Sequence, residues 1–374
     1  MQNVSKITVR EIMIIYATGF LFAFVFQAWK MSLYLYDGPM WADQIKFFLT
    51  RDPAVFNMRA AYGHPGTTLI SLGSLFHIIF GFSYAGSLTL SVALLIAAAT
   101  AACVVLCYLL QPLSFWWVTT GIILTASRFY FTATPPTAVV LPFITLIVLA
   151  SCRLIEKNRP YSKWPFFVWG IILGLSASTR LDVSLLVGMP LFMLLIRRHG
   201  GRTIMPVVIG TALSFIITDP FLWFMPFQHV IDLSTKFTIH YYGKGSITPI
   251  PWSEWVYGSY LAIVSVVWFL YFQIKPHPDH DIYPGVMSTF AALSLLAVIF
   301  LLFSKSQYMR YLYPLIMVWE IFLPLFAFQY YPDNHGKTFS RSVRLAPKTT
   351  WIIGITILTQ ILGYILLSNM NDHI

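Results

Sequence analysis

Charge is what this sequence has least of. Only 10% of its 374 residues are Asp, Glu, Lys or Arg, against roughly 25% in soluble globular proteins. Too few charges remain to cover a water-facing surface of that size, which excludes a soluble multidomain enzyme. Cysteine is scarce as well. Cys103, Cys107 and Cys152 all lie within apolar runs and form no CxxC pair, which excludes a disulfide framework and a zinc site. There is no acidic cluster to hold a metal tightly, no nucleotide-binding glycine pattern, no internal repeat and no low-complexity segment. The expectations are therefore one integral domain spanning 1–374, no cofactor, and activity independent of metal ions.

What the chain has is apolar length. Hydrophobic residues make up 57% and aromatics 17%, and the mean hydropathy is +0.72. Trp and Tyr in such numbers suit helix ends at membrane interfaces. The net charge of +10 reads as the orienting positive charge of cytoplasmic loops rather than as a nucleic-acid footprint. Lys6 and Arg10 precede an apolar run with no small-residue cleavage site after it, the pattern of a retained first helix. Asn3-Val4-Ser5 fits a glycosylation site but falls on the expected cytoplasmic side.

A helix needs about 17–25 apolar residues to cross the hydrocarbon core. Spans are expected near 11–33, 84–110, 113–127, 137–152, 165–179, 183–196, 203–218, 256–274, 284–303, 311–329 and 351–368. The fold class is thus an all-α integral membrane protein of about eleven transmembrane helices. The run from Gly66 to Phe80 is short for a span and is read as a juxtamembrane helix on the outer face. Charge supports that reading. If this run does not cross, most of the 24 Lys and Arg fall on the cytoplasmic side: Lys6, Arg10, Arg153, Lys157, Arg159, Lys163, Arg197, Arg198, Arg202, Lys275, Lys337, Arg341, Arg344 and Lys348. If it crosses, only a minority does, against the positive-inside rule. The stretch 165–196 carries the alternative of one tilted span with a polar break. The preferred topology leaves two large outer loops, 34–83 with juxtamembrane helices and 219–255, and puts any chemistry on the outer face.

Candidate site residues gather on that face. Asp37 and Asp43 flank Gly38-Pro39 directly after the first span. They read either as loop and capping acids or as carboxylates at the lipid boundary. There, apolar walls raise a carboxylate's pKa and suit it to act as a base near neutrality. His64-Pro65-Gly66 opens the juxtamembrane helix, with backbone amides suited to an anion, and Arg59 lies just before it. Arg128, Arg180, Lys305 and Arg310 sit at outer ends of spans, against the orienting tendency, and Lys244 lies in the second loop. Snorkelling to headgroups accounts for some of these cations. As a set they suggest a phosphate-binding vestibule, because arginine matches phosphate oxygens in a bidentate way. Trp223, His240 and Tyr241, in the aromatic second loop, serve either as a sugar-stacking surface or as part of the interfacial aromatic belt. Asp182 beside Arg180 is read as its salt-bridge partner, and Glu320 as an intramembrane acid with a packing or lipid role.

In this order the elements resemble the C-type (GT-C) glycosyltransferases that use polyprenyl-phosphate sugars, such as protein O-mannosyltransferases and the lipid A aminoarabinose transferase. The resemblance rests on Asp37 with Trp41-Ala42-Asp43 after the first span, His64-Pro65 before a juxtamembrane helix, Gly174 to Thr179 ending in Arg180, and Lys305 to Pro314. Two positions depart from the family pattern: Gly38 stands where a Glu normally follows the first Asp, and Thr134-Pro135-Pro136-Thr137 lacks the usual Asp. The resemblance implies an inverting transferase of the bacterial inner membrane with its site facing the periplasm. Asp37 would be the base, assisted by Asp43. Arg180, Lys244, Lys305, Arg310 and His64 would hold the donor phosphate, and Arg59, Arg128, Trp223, His240 and Tyr241 the sugar or acceptor. The expected partners are a polyprenyl-phosphate-linked sugar donor, a glycan, lipid or protein acceptor, and membrane lipid, with no nucleic acid. A lipid-linked sugar flippase or other transporter is the alternative. It should show pseudo-symmetric halves and broken helices, and neither is visible in the sequence.

Overall fold

The computed structural model describes residues 8–32, 38–50, 66–110, 135–155 and 162–219, with Leu222, Trp223, Pro226, Phe227 and Ile231. Among the described residues every regular element is helical. In chain order these are α1 (Val9–Ser32), α2 (Gly38–Thr50), α3 (Thr67–Phe80), α4 (Tyr84–Leu110), α5 (Pro135–Ile155), α6 (Lys163–Thr179), α7 (Leu181–His199), a 3-10 turn (Gly201–Thr203) and α8 (Ile204–Thr218). Among the described residues, three stretches are long and apolar enough to cross a membrane: Tyr84–Leu106, Ala138–Ile155 and Gly201–Thr218. Helices also stand where the sequence expects spans at 11–33, 165–179 and 183–196. The spans expected at 113–127 and beyond residue 256 lie outside the described residues.

Local chemistry explains several of the helix ends. At the start of α1, the backbone N–H and the hydroxyl of Thr8 donate to Glu11 Oε2 at 2.7 and 2.9 Å, and the Glu11 N–H donates back to Thr8 Oγ1 at 3.2 Å. This reciprocal capping box satisfies amides that the first helical turn leaves over. The 14 residues of α3 cover about 21 Å, less than the hydrocarbon thickness. The helix stops at Gly81, whose φ of 67° is a left-handed conformation that glycine adopts without a Cβ penalty. The next turn is closed by His77, whose Nδ1 donates to the Phe82 carbonyl at 2.6 Å and whose ring stacks on Tyr84.

Helices α6 and α7 form a hairpin about Arg180. Contacts step outward symmetrically from it: Ser176 to Ser184 at 2.7 Å, Leu173 against Gly188, Trp169 stacked on Phe192, and Phe166 edge-on to His199. Such a series arises only from two antiparallel helices, so 165–196 is two elements and not one tilted span. At the far end of the hairpin, His199 Nε2 donates to the Leu154 carbonyl at 2.7 Å, which brings the end of α5 beside the end of α7. Trp169 secures α6 to α5 by donating to Ser151 Oγ at 2.9 Å and Ile147 O at 3.2 Å.

Helix α8 then returns parallel to α6, and the two pack backbone to backbone. The Thr211 hydroxyl donates to the Gly170 carbonyl at 3.1 Å, and the hydroxyls of Ser178 and Thr218 meet at 2.9 Å one end further on. Gly170, Gly174 and Gly210 line this seam, and a Cβ on any of them would fall within 3.0 Å of a backbone oxygen of the opposite helix. Small residues let membrane helices approach this closely. There, packing and interhelical hydrogen bonds replace the hydrophobic drive, which is absent in lipid.

Candidate functional site

The ends of α6 and α8 carry a buried polar cluster, and the start of α3 lies across it. The Gly66 N–H donates to the Thr179 carbonyl at 3.2 Å. The Thr67 hydroxyl donates to the Ser178 carbonyl at 2.9 Å, and the Ser71 hydroxyl to the Thr218 carbonyl at 2.9 Å. Thr68 Oγ1 reaches the Leu175 carbonyl at 3.3 Å and also bonds to Ser178 Oγ. Ser178 is the hub, because its hydroxyl joins α3, α6 and α8 at one point. Several of these groups donate to the last-turn carbonyls of α6 and α8, so carbonyls that the helix ends leave over are satisfied without water.

Two ionisable groups border this cluster. Arg180 is extended backbone between α6 and α7, and only 4% of its surface is exposed; Asp219, at the end of α8, is fully buried at 0%. Each lies one or two residues from the hydrogen-bonded pair Ser178–Thr218, so the two backbones share this end of the bundle. Burial at such a depth demands partners for both charges, since an isolated ion in low dielectric is far too costly.

Helix α2 closes the site from a third direction. Gly66 has a φ of 49°, and the ring of Trp41 lies so close above it that no Cβ fits. One turn on, Ile45 covers Gly73 in the same way, so α2 and α3 run side by side from the Thr179–Arg180 end. Asp43, half-buried, lies two residues beyond Trp41 on this helix. Trp223 stands at the same end of α8, its indole N–H donating to the Ile216 carbonyl at 2.5 Å, while 52% of its surface stays exposed. A ring held at one edge with its face open can stack on an apolar sugar face or lie among headgroups.

The structure therefore places Arg180, Trp223 and the Gly66 helix start from the sequence-derived set at one end of the bundle, with Asp43 on the neighbouring α2 two residues from Trp41. Asp37, Arg59, His64, Arg128, His240, Tyr241, Lys244, Lys305 and Arg310 lie outside the described residues, as does the side chain of Asp182. Among the described residues no three His, Cys, Asp or Glu side chains gather as a metal site would require. Sequence reasoning missed the role of Ser178 and Thr218 and the glycine seam. The visible signal was Gly170-xxx-Gly174-xxx-Ser178, small residues at one-turn spacing. With this geometry in hand, comparison with known proteins finds no matching family model, no similar curated protein and no similar solved structure.

Proposed function

We propose that this chain is an inverting C-type glycosyltransferase with about eleven membrane spans, acting at the outer face of a bacterial inner membrane. One observation carries the reading. Three sequence-distant segments that resemble the family's motifs (Trp41 to Asp43, the helix start at Gly66, and Thr179-Arg180) converge on one end of the bundle, next to buried Asp219. Asp37, bonded directly to the first residue of α2, takes the proton of the acceptor hydroxyl. The acceptor oxygen attacks the anomeric carbon of a polyprenyl-phosphate sugar, the carbon–phosphate oxygen bond breaks with inversion, and polyprenyl phosphate leaves. The leaving phosphate needs fixed cations more than a proton donor. Arg180, with Lys305, Arg310, Lys244 and His64, supplies them in this reading, and Trp223 offers its open face to a sugar.

The test is turnover of a panel of polyprenyl-phosphate hexoses and pentoses by the purified full-length chain. Asp37→Asn is expected to lower release of polyprenyl phosphate by about 10²–10⁴-fold while polyprenyl-phosphate binding persists. Near-full transfer by that variant would exclude Asp37 as the base. Translocation of the intact lipid-linked sugar without release of polyprenyl phosphate would favour the flippase.

A further inference from the structure

The end of the bundle opposite Arg180 carries a different chemistry. Around His199 meet the end of α5, the start of α6, the end of α7 and the 3-10 turn, through His199 Nε2 to Leu154 O at 2.7 Å, Phe166 against the imidazole, and Arg202 Nε donating to His199 O at 3.0 Å. Lys163, Arg197, Arg198 and Arg202 are all exposed there, and the described parts of the elements that meet at His199 carry no acidic side chain at this end. Beside these charges stand two apolar side chains open to their surroundings, Trp164 at 72% and Met205 at 67% exposure.

We propose that this end is a docking collar for acidic phospholipid headgroups of the adjacent leaflet. The four cations come from three consecutive elements held in place by His199. Gly200, with a φ of 80°, turns the chain sharply enough to bring Arg202 back beside Arg197 and Arg198. Each basic side chain near an anionic leaflet contributes attraction that falls off within a Debye length. The exposed indole of Trp164 has the amphipathic character that settles at headgroup level, and Met205 extends the surface towards the acyl chains. An acidic protein segment would match the charges but would leave Trp164 and Met205 uncovered, so the combination selects lipid. This inference is independent of the proposed transferase activity, because no residue in it belongs to the site at the Arg180 end.

Full-length protein in phosphatidylcholine vesicles, doped with spin-labelled phosphatidylglycerol or spin-labelled phosphatidylcholine, reports each lipid's association with the protein surface. Phosphatidylglycerol is expected to associate preferentially. Each of Arg197→Gln and Arg198→Gln should lower that preference by up to about fivefold, and Lys46→Gln on α2 should leave it unchanged. The wild-type preference should also collapse towards about 1 M salt, where screening shortens to roughly 3 Å. Equal association of the two lipids at low salt, a preference indifferent to salt, or one undiminished when both arginines are replaced would each overturn the collar. Any of those results leaves the transferase test untouched.

Discussion

Replacing Gly174 by alanine tests the parallel packing of α6 on α8 with a single methyl group. Two effects oppose each other. Alanine is the better helix former by about 1 kcal/mol, so in an open position the change stabilises. At Gly174, however, the new Cβ would fall within 3.0 Å of the Thr211 carbonyl oxygen and at 3.1 Å from its carbonyl carbon. Those are backbone atoms and cannot turn aside. The helices must move apart, and overpacking of this kind costs about 1–3 kcal/mol. Separation also lengthens the Thr211–Gly170 and Ser178–Thr218 hydrogen bonds, each worth about 0.6 kcal/mol between membrane helices. The losses exceed the gain, for a net destabilisation of about 1–3 kcal/mol. Gly19 provides the control, because a Cβ there meets only Ala97 Cα at an ordinary 3.8 Å. Its alanine variant should keep the propensity gain. Unfolding of both variants by graded SDS in mixed micelles measures the difference. A Gly174→Ala protein as stable as Gly19→Ala would refute close backbone contact at this seam.

Three further outcomes are expected. Gly66→Ala must place a side chain at a φ of 49° beneath the Trp41 ring, and strain of about 1–3 kcal/mol should appear as a lowered unfolding midpoint, which Trp41→Ala in the same chain partly relieves. Lys305→Ala and Arg310→Ala should each weaken use of the lipid-phosphate donor roughly ten- to a hundredfold, by loss of one charge-assisted bond, whereas Lys337→Ala should not; equal small losses at all three positions in steady-state assays would indicate a general stability effect instead. Cysteines introduced between Arg153 and Lys163 should react only after the membrane is permeabilised, and labelling of intact cells from outside would reverse the assigned sidedness.

The positions of the helices were legible because apolar length is a one-dimensional property. Helix α4 runs from Tyr84 to Leu110 and α8 ends at Thr218, as the apolar runs alone indicate. The division at Arg180 was only half legible. A polar Ser176-Ala177-Ser178-Thr179-Arg180 stretch suits a break within one helix as well as a turn between two, and only the stepped contacts between α6 and α7 distinguish them. The partnership of α6 with α8 was not legible at all. It depends on two glycine faces meeting across an intervening helix, and no local pattern names the partner of a face. At the candidate site, Arg180 stood out through its charge. Ser178 did not, because a single hydroxyl in an apolar run usually satisfies its own helix, and here it also joins two others.

The parallel pairing of α6 and α8 has a consequence for biogenesis. The glycine face of α6 finds its match only about 40 residues later in the chain, which at roughly 5–20 residues per second of synthesis is an interval of about 2–8 s. During that time α6 and α7 can close their hairpin, but Gly170 and Gly174 face lipid with no backbone against them. A chain arrested after α7 would present this bare groove indefinitely. It is thus a ready mark for membrane quality control, and arrest of translation just before α8 should give a far shorter-lived product than arrest just after it.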